Sequence, residues 1–373
     1  MVIETNITKM FGIKKPIFNA PMGPFLTNDI AIAISEAGGL GVISHSAGLE
    51  SLKGMRQLID SGEDIAKILA EQRSGDGGGR DYMADNLMEV VEHTDKPFGF
   101  NVRTSRNEMD AISIARKLPK FIMGNPKLKE QCLYVVTSAG SPKVFPASKP
   151  FQRLREATEI KHFHVAPALW LADKCVAAGV DGLCCTGGEG GGHQSYEKVS
   201  TLVLLQQVRQ KYPDLPILGC GGVANGEGLA AVLAMGGGGI VMGSRFIASK
   251  DSSFHEKYKS IIPPAKAGDT RLVTGVLGPI RLWKNKYCMS KDLVTTKADL
   301  MNKEEKQKGM DPAEMLKGMM PYVTALEGDL ENSAILLGQS GGVINSIDSI
   351  NDIINTVVED AERLIKSAAA NIK

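Results

Sequence analysis

A chain of 373 residues with 43% hydrophobic and 23% charged side chains has material for one large globular domain or two ordinary ones. Its 43 Lys and Arg against 42 Asp and Glu leave a net charge of +1, so no strong field draws it to nucleic acid or to an anionic membrane surface. No apolar run approaches the roughly 20 residues of a membrane helix, the first residues lack the blocks of a signal peptide, and six cysteines without a Cys-x-x-Cys pair read as reduced thiols of a cytoplasmic protein.

Eight short apolar or β-branched runs are predicted as strands, at 17–22, 40–44, 98–102, 133–137, 162–166, 182–185, 216–220 and 239–242. Each is followed by a turn and a helix-like segment. Eight is the number that closes a parallel barrel, although alternation alone fits a doubly wound open sheet as well. The first run leads into Ala20-Pro21-Met22-Gly23, which can lie against a flat ring system without side-chain obstruction. Thr27 or Asn28 can cap a helix carrying Ile30, Ala33 and Ile34 and ending at Gly38-Gly39. His45 follows the second run, where it either lines a pocket or does not.

A long polar excursion separates the second and third runs. It contains Ser74-Gly75-Asp76-Gly77-Gly78-Gly79-Arg80 and reads as a mobile loop or lid inserted over 62–90. Asn101 ends the third run with an amide that can donate and accept toward a heterocycle edge. His162 and His164 share one face of the fifth run, but no third ligand of suitable spacing is evident and no metal site is expected.

The sixth run opens into Thr186-Gly187-Gly188-Glu189-Gly190-Gly191-Gly192-His193. A histidine at the end of so glycine-rich a loop has room for a flat ligand beside it and can exchange a proton near neutral pH. The seventh run ends Cys220-Gly221-Gly222 and the eighth Met242-Gly243-Ser244. Bare N–H groups at these two turns, with a short helix N-terminus, match the place where such barrels hold phosphate. Asn225 can cap a helix over 227–235, ended by the four glycines of 236–239. Residues 251–319 are charged and Met-rich, and read as a helical or irregular lid-like extension. The stripe Ile350, Ile353, Ile354, Val357, Val358 and Leu364 marks an amphipathic C-terminal helix over 349–366. P-loop and His-Glu-x-x-His patterns are absent.

Taken together, Asn19-Ala20-Pro21-Met22, Glu36-Ala37-Gly38-Gly39-Leu40-Gly41, Phe98-Gly99-Phe100-Asn101, Gly190-Gly191-Gly192-His193, Cys220-Gly221-Gly222-Val223-Ala224-Asn225-Gly226 and Met242-Gly243-Ser244-Arg245-Phe246 stand in a specific order. Late in the chain come Glu327-Gly328-Asp329-Leu330 and the segment from Leu337 to Ile344. The ordered set resembles the nitronate monooxygenases, formerly called 2-nitropropane dioxygenases, and their relatives the FMN-dependent enoyl-ACP reductases. The resemblance implies an α/β fold, a (β/α)8 TIM barrel with an inserted loop or lid and a C-terminal helical extension. The barrel would comprise 1–250 plus 320–373.

The resemblance further implies one non-covalent FMN at the barrel mouth. Ala20, Pro21 and Met22 would flank its ring, Asn101 would face the ring's polar edge, and Thr186 and Gly191 would touch it from the sixth loop. Gly221, Gly222, Gly243 and Ser244 would hold the phosphate, and His193 falls on the family's active-site histidine. The family's pattern Ala-Gln-Gly-x-Glu-Ala-Gly-Gly-His stands here with Thr186 for its Gln and Gly190 for its second Ala. Oxidation of alkyl nitronates with O2 is the first expectation. The alternative is an NAD(P)H-dependent flavin reductase acting on an enoyl thioester of ACP or CoA, or on a quinone. A third reading is a flavin-free barrel binding a phosphorylated metabolite. The expected partner is a small-molecule substrate, with a homodimer left open.

Overall fold

The computed structural model of the chain describes residues 3–46, 61, 82–105, 110–275, 278–308 and 312–372. Among them an eight-stranded parallel sheet is formed by β1 (Ile17–Asn19), β2 (Gly41–Ile43), β3 (Phe98–Arg103), β4 (Cys132–Ser138), β5 (Lys161–Ala166) and β6 (Gly182–Thr186), with β8 (Ile217–Cys220) and β9 (Gly239–Met242). Between β6 and β8 the chain makes a two-residue strand, β7 (Gly192–His193), which belongs to a second sheet. β1 pairs with β9 in parallel, and a bridge between Phe18 and Leu40 brings β2 beside β1. The sheet therefore closes on itself, and the architecture is a (β/α)8 TIM barrel. All eight runs expected as strands contain one.

Alternation along the strands divides the core in two. Phe18, Val42, Tyr134, Val136, Phe163, Cys184, Leu218 and Val241 point inward and fill the barrel. Its floor is sealed by the helix Asn6–Phe11, whose Phe11 ring lies 5.4 Å from Tyr134 and 5.9 Å from Phe18 and Phe163. Outward-facing residues such as Ile17, Leu183, Ile217 and Ile240 pack under the helical layer. Among the described residues no helix is long and apolar enough to cross a membrane.

Of the two caps read from the sequence, Asn225 forms and Thr27 does not, and Ser349 adds one that was not expected. Asn225 accepts from the Gly228 N–H at 3.1 Å, and Ser349 from that of Asp352 at 3.1 Å. Thr27 makes no such bond; its hydroxyl is taken by Ser44 at 3.0 Å and by the Ser44 N–H at 2.9 Å, which ties the first and second loops together. The C-terminal helix runs Ile350–Ala370 and buries Ile350, Ile353, Ile354, Val357 and Val358 of its expected stripe, while Leu364 is half-buried. It lies against the helix Gly226–Ala234 so closely that a Cβ at Gly226 would stand 2.3 Å from Asp360 Cβ.

Two expectations need correction. Residues 62–81 of the excursion lie outside the described residues, but its remainder is no loop: Tyr82–His93 is a helix burying Met83, Leu87, Val90 and Val91. The stretch 251–319 was expected to be helical or irregular, yet it contains the antiparallel hairpin β10 (Thr270–Gly275) and β11 (Gly278–Trp283). The hairpin buries Leu272, Val273, Ile280 and Leu282, and β11 completes the second sheet by pairing with β7. Helices Lys297–Lys308 and Pro312–Leu326 follow it.

Candidate active site

The C-terminal ends of the barrel strands surround a cavity of about 790 Å³. Its apolar wall begins at β1, where Ala20, Pro21 and Met22 line it. The backbone there is held on both sides: the Ala20 N–H donates to Met242 O at 2.8 Å and the Met22 N–H to Ser44 Oγ at 2.8 Å. Asn101, from β3, also lines the cavity. Its Nδ2 donates to Val136 O at 2.8 Å and Ser138 Oγ at 3.1 Å, so the amide is oriented and Oδ1 is the atom left to meet a ligand.

The sixth loop is folded by its glycines and by one carboxylate. The Gly190 N–H donates to Gly187 O at 3.0 Å, and Gly192 adopts φ +77°, a left-handed conformation that favours glycine. Glu189, which sequence reasoning had passed over, accepts from the Thr201 N–H at 2.9 Å and the Thr201 hydroxyl at 3.1 Å. It anchors the loop from behind. Thr186, Gly191 and His193 all line the cavity, and Gly191 is pressed against the late segment, where a Cβ would stand 2.6 Å from Gly338 N.

The two turns expected to hold phosphate differ in construction. Gly221 and Gly222 have φ +83° and +72°, and among the described residues neither donates its N–H to a backbone acceptor. A Cβ at Gly221 would meet Gly187 O and Gly190 N at 2.9 Å. Gly243 and Ser244 begin the short helix Ser244–Ile247, and Ser244 Oγ accepts from the Gly338 N–H at 3.2 Å. Gly221, Gly243 and Ser244 line the cavity; Gly222 does not, and sits against the Glu189 side chain.

The structure settles the histidines that the sequence left open. His45 stands outside the cavity lining. Its Nδ1 accepts from the Arg103 N–H at 3.1 Å, which leaves Nε2 to donate to Asp110 at 3.1 Å. His162 and His164 are buried on the outer face of the barrel wall, and both contact Thr137 Oγ1, at 2.8 and 2.6 Å. Burial holds His162 well below its ordinary value and His164 at about 3, so both rings are neutral at physiological pH. Among the described residues no three His, Cys, Asp or Glu side chains form a metal-binding group. All six cysteines are free thiols, and burial pushes Cys175 up to about 12.

Sequence reasoning missed the charged mouth. Arg103, Lys143 and Lys174 line the cavity together with Trp170, and among the described lining residues there is no Asp or Glu. Lys174 Nζ lies 4.8 Å from the Trp170 ring centre, and Trp170 is 37% exposed. The spacing of Trp170 and Lys174, one helical turn apart, was a readable signal. A cavity of this size, with one flat apolar wall, an oriented amide and bare N–H groups at a left-handed turn, fits a phosphorylated ring cofactor such as FMN.

Comparison with known proteins agrees with this geometry. Residues 4–360 match the family model described as nitronate monooxygenase. The chain is 25% identical over 407 residues to the (3aS,4S,5R,7aS)-5-hydroxy-7a-methyl-1-oxo-octahydro-1H-indene-4-carboxyl-CoA dehydrogenase of Mycobacterium tuberculosis, covering 100% of both. It is 26% identical over 306 residues to a probable nitronate monooxygenase of Staphylococcus saprophyticus, covering 77% of this chain and 80% of that one. The structure of FabK from Thermotoga maritima superposes with a TM-score of 0.72 and 27% identity over 100% of both chains.

Proposed function

Since this chain belongs to the nitronate monooxygenase family and is an oxidoreductase, we propose that it binds one FMN and acts on an acyl thioester of CoA. The observation that carries the substrate class is the mouth of the cavity, with Arg103, Lys143 and Lys174 beside an exposed Trp170 and no described carboxylate in the lining. A small nitronate needs one cation; a nucleotide-bearing thioester presents several phosphates and a base that stacks on an aromatic ring. The likeness to a CoA-ester dehydrogenase over the whole of both chains, against partial coverage for the relative named as a nitronate monooxygenase, supports the same reading.

FMN, when bound, supplies the hydride chemistry. The residues of this chain do the rest. Ala20, Pro21 and Met22 give the ring a flat apolar wall, Asn101 offers Oδ1 to its polar edge, and Thr186 and Gly191 meet it from the sixth loop. The Gly221 N–H, with Gly243 and Ser244, takes the phosphate. Gly222 stands behind the lining, against Glu189, and shapes the turn by its left-handed backbone without meeting the phosphate. His193 binds the thioester carbonyl or moves a proton to the adjacent carbon. The rim cations hold the phosphates while the acyl chain passes inward.

Nitronate oxidation is the competing reading, favoured by the relatives named probable nitronate monooxygenase. Anaerobic spectroscopy of the purified yellow protein separates the two. Bleaching by NAD(P)H and recovery on adding an enoyl-CoA supports the thioester reading. Bleaching by an alkyl nitronate, with no response to NAD(P)H or to any acyl thioester, replaces it. A protein that stays colourless with added FMN removes both and leaves a barrel for a phosphorylated metabolite.

A further inference from the structure

Gln194 follows His193 and has no role in the readings above, yet it is a buried amide at the cavity with one end fixed. It lines the cavity and is 7% exposed. Its backbone N–H is fixed to Pro279 O at 2.8 Å. Its Nε2 donates to Gly190 O at 2.9 Å, which sets the orientation of the carboxamide and leaves Oε1 as the other end. Oε1 is buried and has no hydrogen-bond partner among the described residues. An unpaired buried carbonyl oxygen is costly, so a site that keeps one in a preformed cavity is built to receive a donor.

The neighbours of this amide include two of the three positions where the sequence departs from the family's pattern, Thr186 and Gly190, the third being Cys185. A Cβ at Gly190 would stand 2.6 Å from Gln194 Nε2 and 3.1 Å from Thr186 Cγ2. Alanine at 190 would therefore force the Gln194 carboxamide to shift from this position, and a long side chain at 186 would compete for the same space. Thr186, Gly190 and Gln194 depend on one another: the short side chain and the bare glycine make the room that the carboxamide occupies.

We propose that Gln194 is a cofactor-binding residue, its Oε1 accepting a hydrogen bond from an N–H or O–H donor of the bound flavin and taking over the place of a long amide carried at position 186. The proposal rests on the FMN reading above.

The test is the FMN dissociation constant of the apoprotein, read by quenching of flavin fluorescence, alongside the thermal midpoint of the apoprotein. Gln194→Met is expected to weaken FMN about tenfold, the worth of one buried hydrogen bond, without lowering the apo midpoint, because the orphan acceptor is gone as well. Gly190→Ala is expected to weaken FMN in the wild-type background and to have no further effect in the Gln194→Ala background. Adding Thr186→Gln to Gly190→Ala and Gln194→Ala is expected to restore FMN binding. An unchanged FMN constant in Gln194→Met, with a raised KM for substrate, would assign Oε1 to the substrate and overturn the proposal. Additive effects of Gly190→Ala and Gln194→Ala would overturn the dependence between them. A wild-type protein that does not bind FMN defeats the cofactor reading itself, whereas a wild type that binds FMN and a Gln194→Met that binds it equally tightly defeat only this one.

Discussion

His193 and Ile280 stand opposite each other in an antiparallel pair, and Gly192 faces Arg281 in the same register. The histidine at the cavity is therefore not carried by a free loop. It is strapped to the hairpin of β10 and β11, and Arg281 tightens the strap by donating through Nε to Gly188 O at 2.9 Å and through Nη1 to Thr270 Oγ1 at 3.0 Å.

Loosening that strap should misplace His193 without emptying the cofactor site. Arg281→Ala is expected to lower kcat by about tenfold to a hundredfold, the scale of effect that an ångström of misplacement carries. Flavin absorbance per protein should remain that of the wild type. Full activity in this variant would show that the hairpin does not position the imidazole.

His193→Ala is expected to reduce turnover by about a hundredfold or more if the ring transfers a proton. Flavin content measured by absorbance should be retained. A variant with unchanged turnover takes His193 out of the mechanism.

Gly221 combines φ +83° with contacts of 2.9 Å to Gly187 O and Gly190 N for any added Cβ. Gly221→Ala should cost about 1–3 kcal/mol in backbone strain and push the sixth loop away from the seventh. Purification should give a protein depleted of flavin, checked by absorbance and by FMN titration.

His164 makes stability depend on pH in a direction that can be worked out. Its imidazole is held at about 3 in the fold, against about 6.5 in an unfolded chain. The unfolded chain takes up a proton that the fold refuses, so stability is complete above about pH 6.5 and declines as the pH drops toward 3. Urea unfolding of His164→Gln between pH 7 and 5 should show a loss smaller than that of the wild type by about 2 kcal/mol. Parallel curves would refute the assignment.

In the C-terminal helix, Ile354 is fully buried against the barrel's helical layer. Ile354→Ala is expected to cost about 2–5 kcal/mol, measured by denaturant unfolding. A cost under about 1 kcal/mol would mean that the helix does not share the main core.

The barrel was legible because its signals are local. Each strand is a short apolar run, and Gly221-Gly222, Gly243-Ser244 and Gly187-Gly188 are turns whose glycines follow those runs directly. The hairpin was not legible: its partner is His193, far earlier in the chain, and its flanks are charged, so nothing nearby in sequence shows what β11 pairs with. Arg103, Lys143 and Lys174 each look like ordinary surface cations in their own segments, and only closure of the barrel gathers them at one rim. Gln194 was hidden for a related reason, since the worth of its carboxamide lies in the space that Thr186 and Gly190 leave.

Gly338 donates its N–H to Ser244 Oγ, and Gln339 donates to Glu189 O at 2.8 Å. A segment that follows β9 by almost a hundred residues thus supplies one wall against both the sixth and eighth loops. The two loops share that wall, so a change that displaces Gly338 is felt at Ser244 and at Gly191 together. A polypeptide truncated just after β9 would keep both turns and lose the backbone that fixes one against the other.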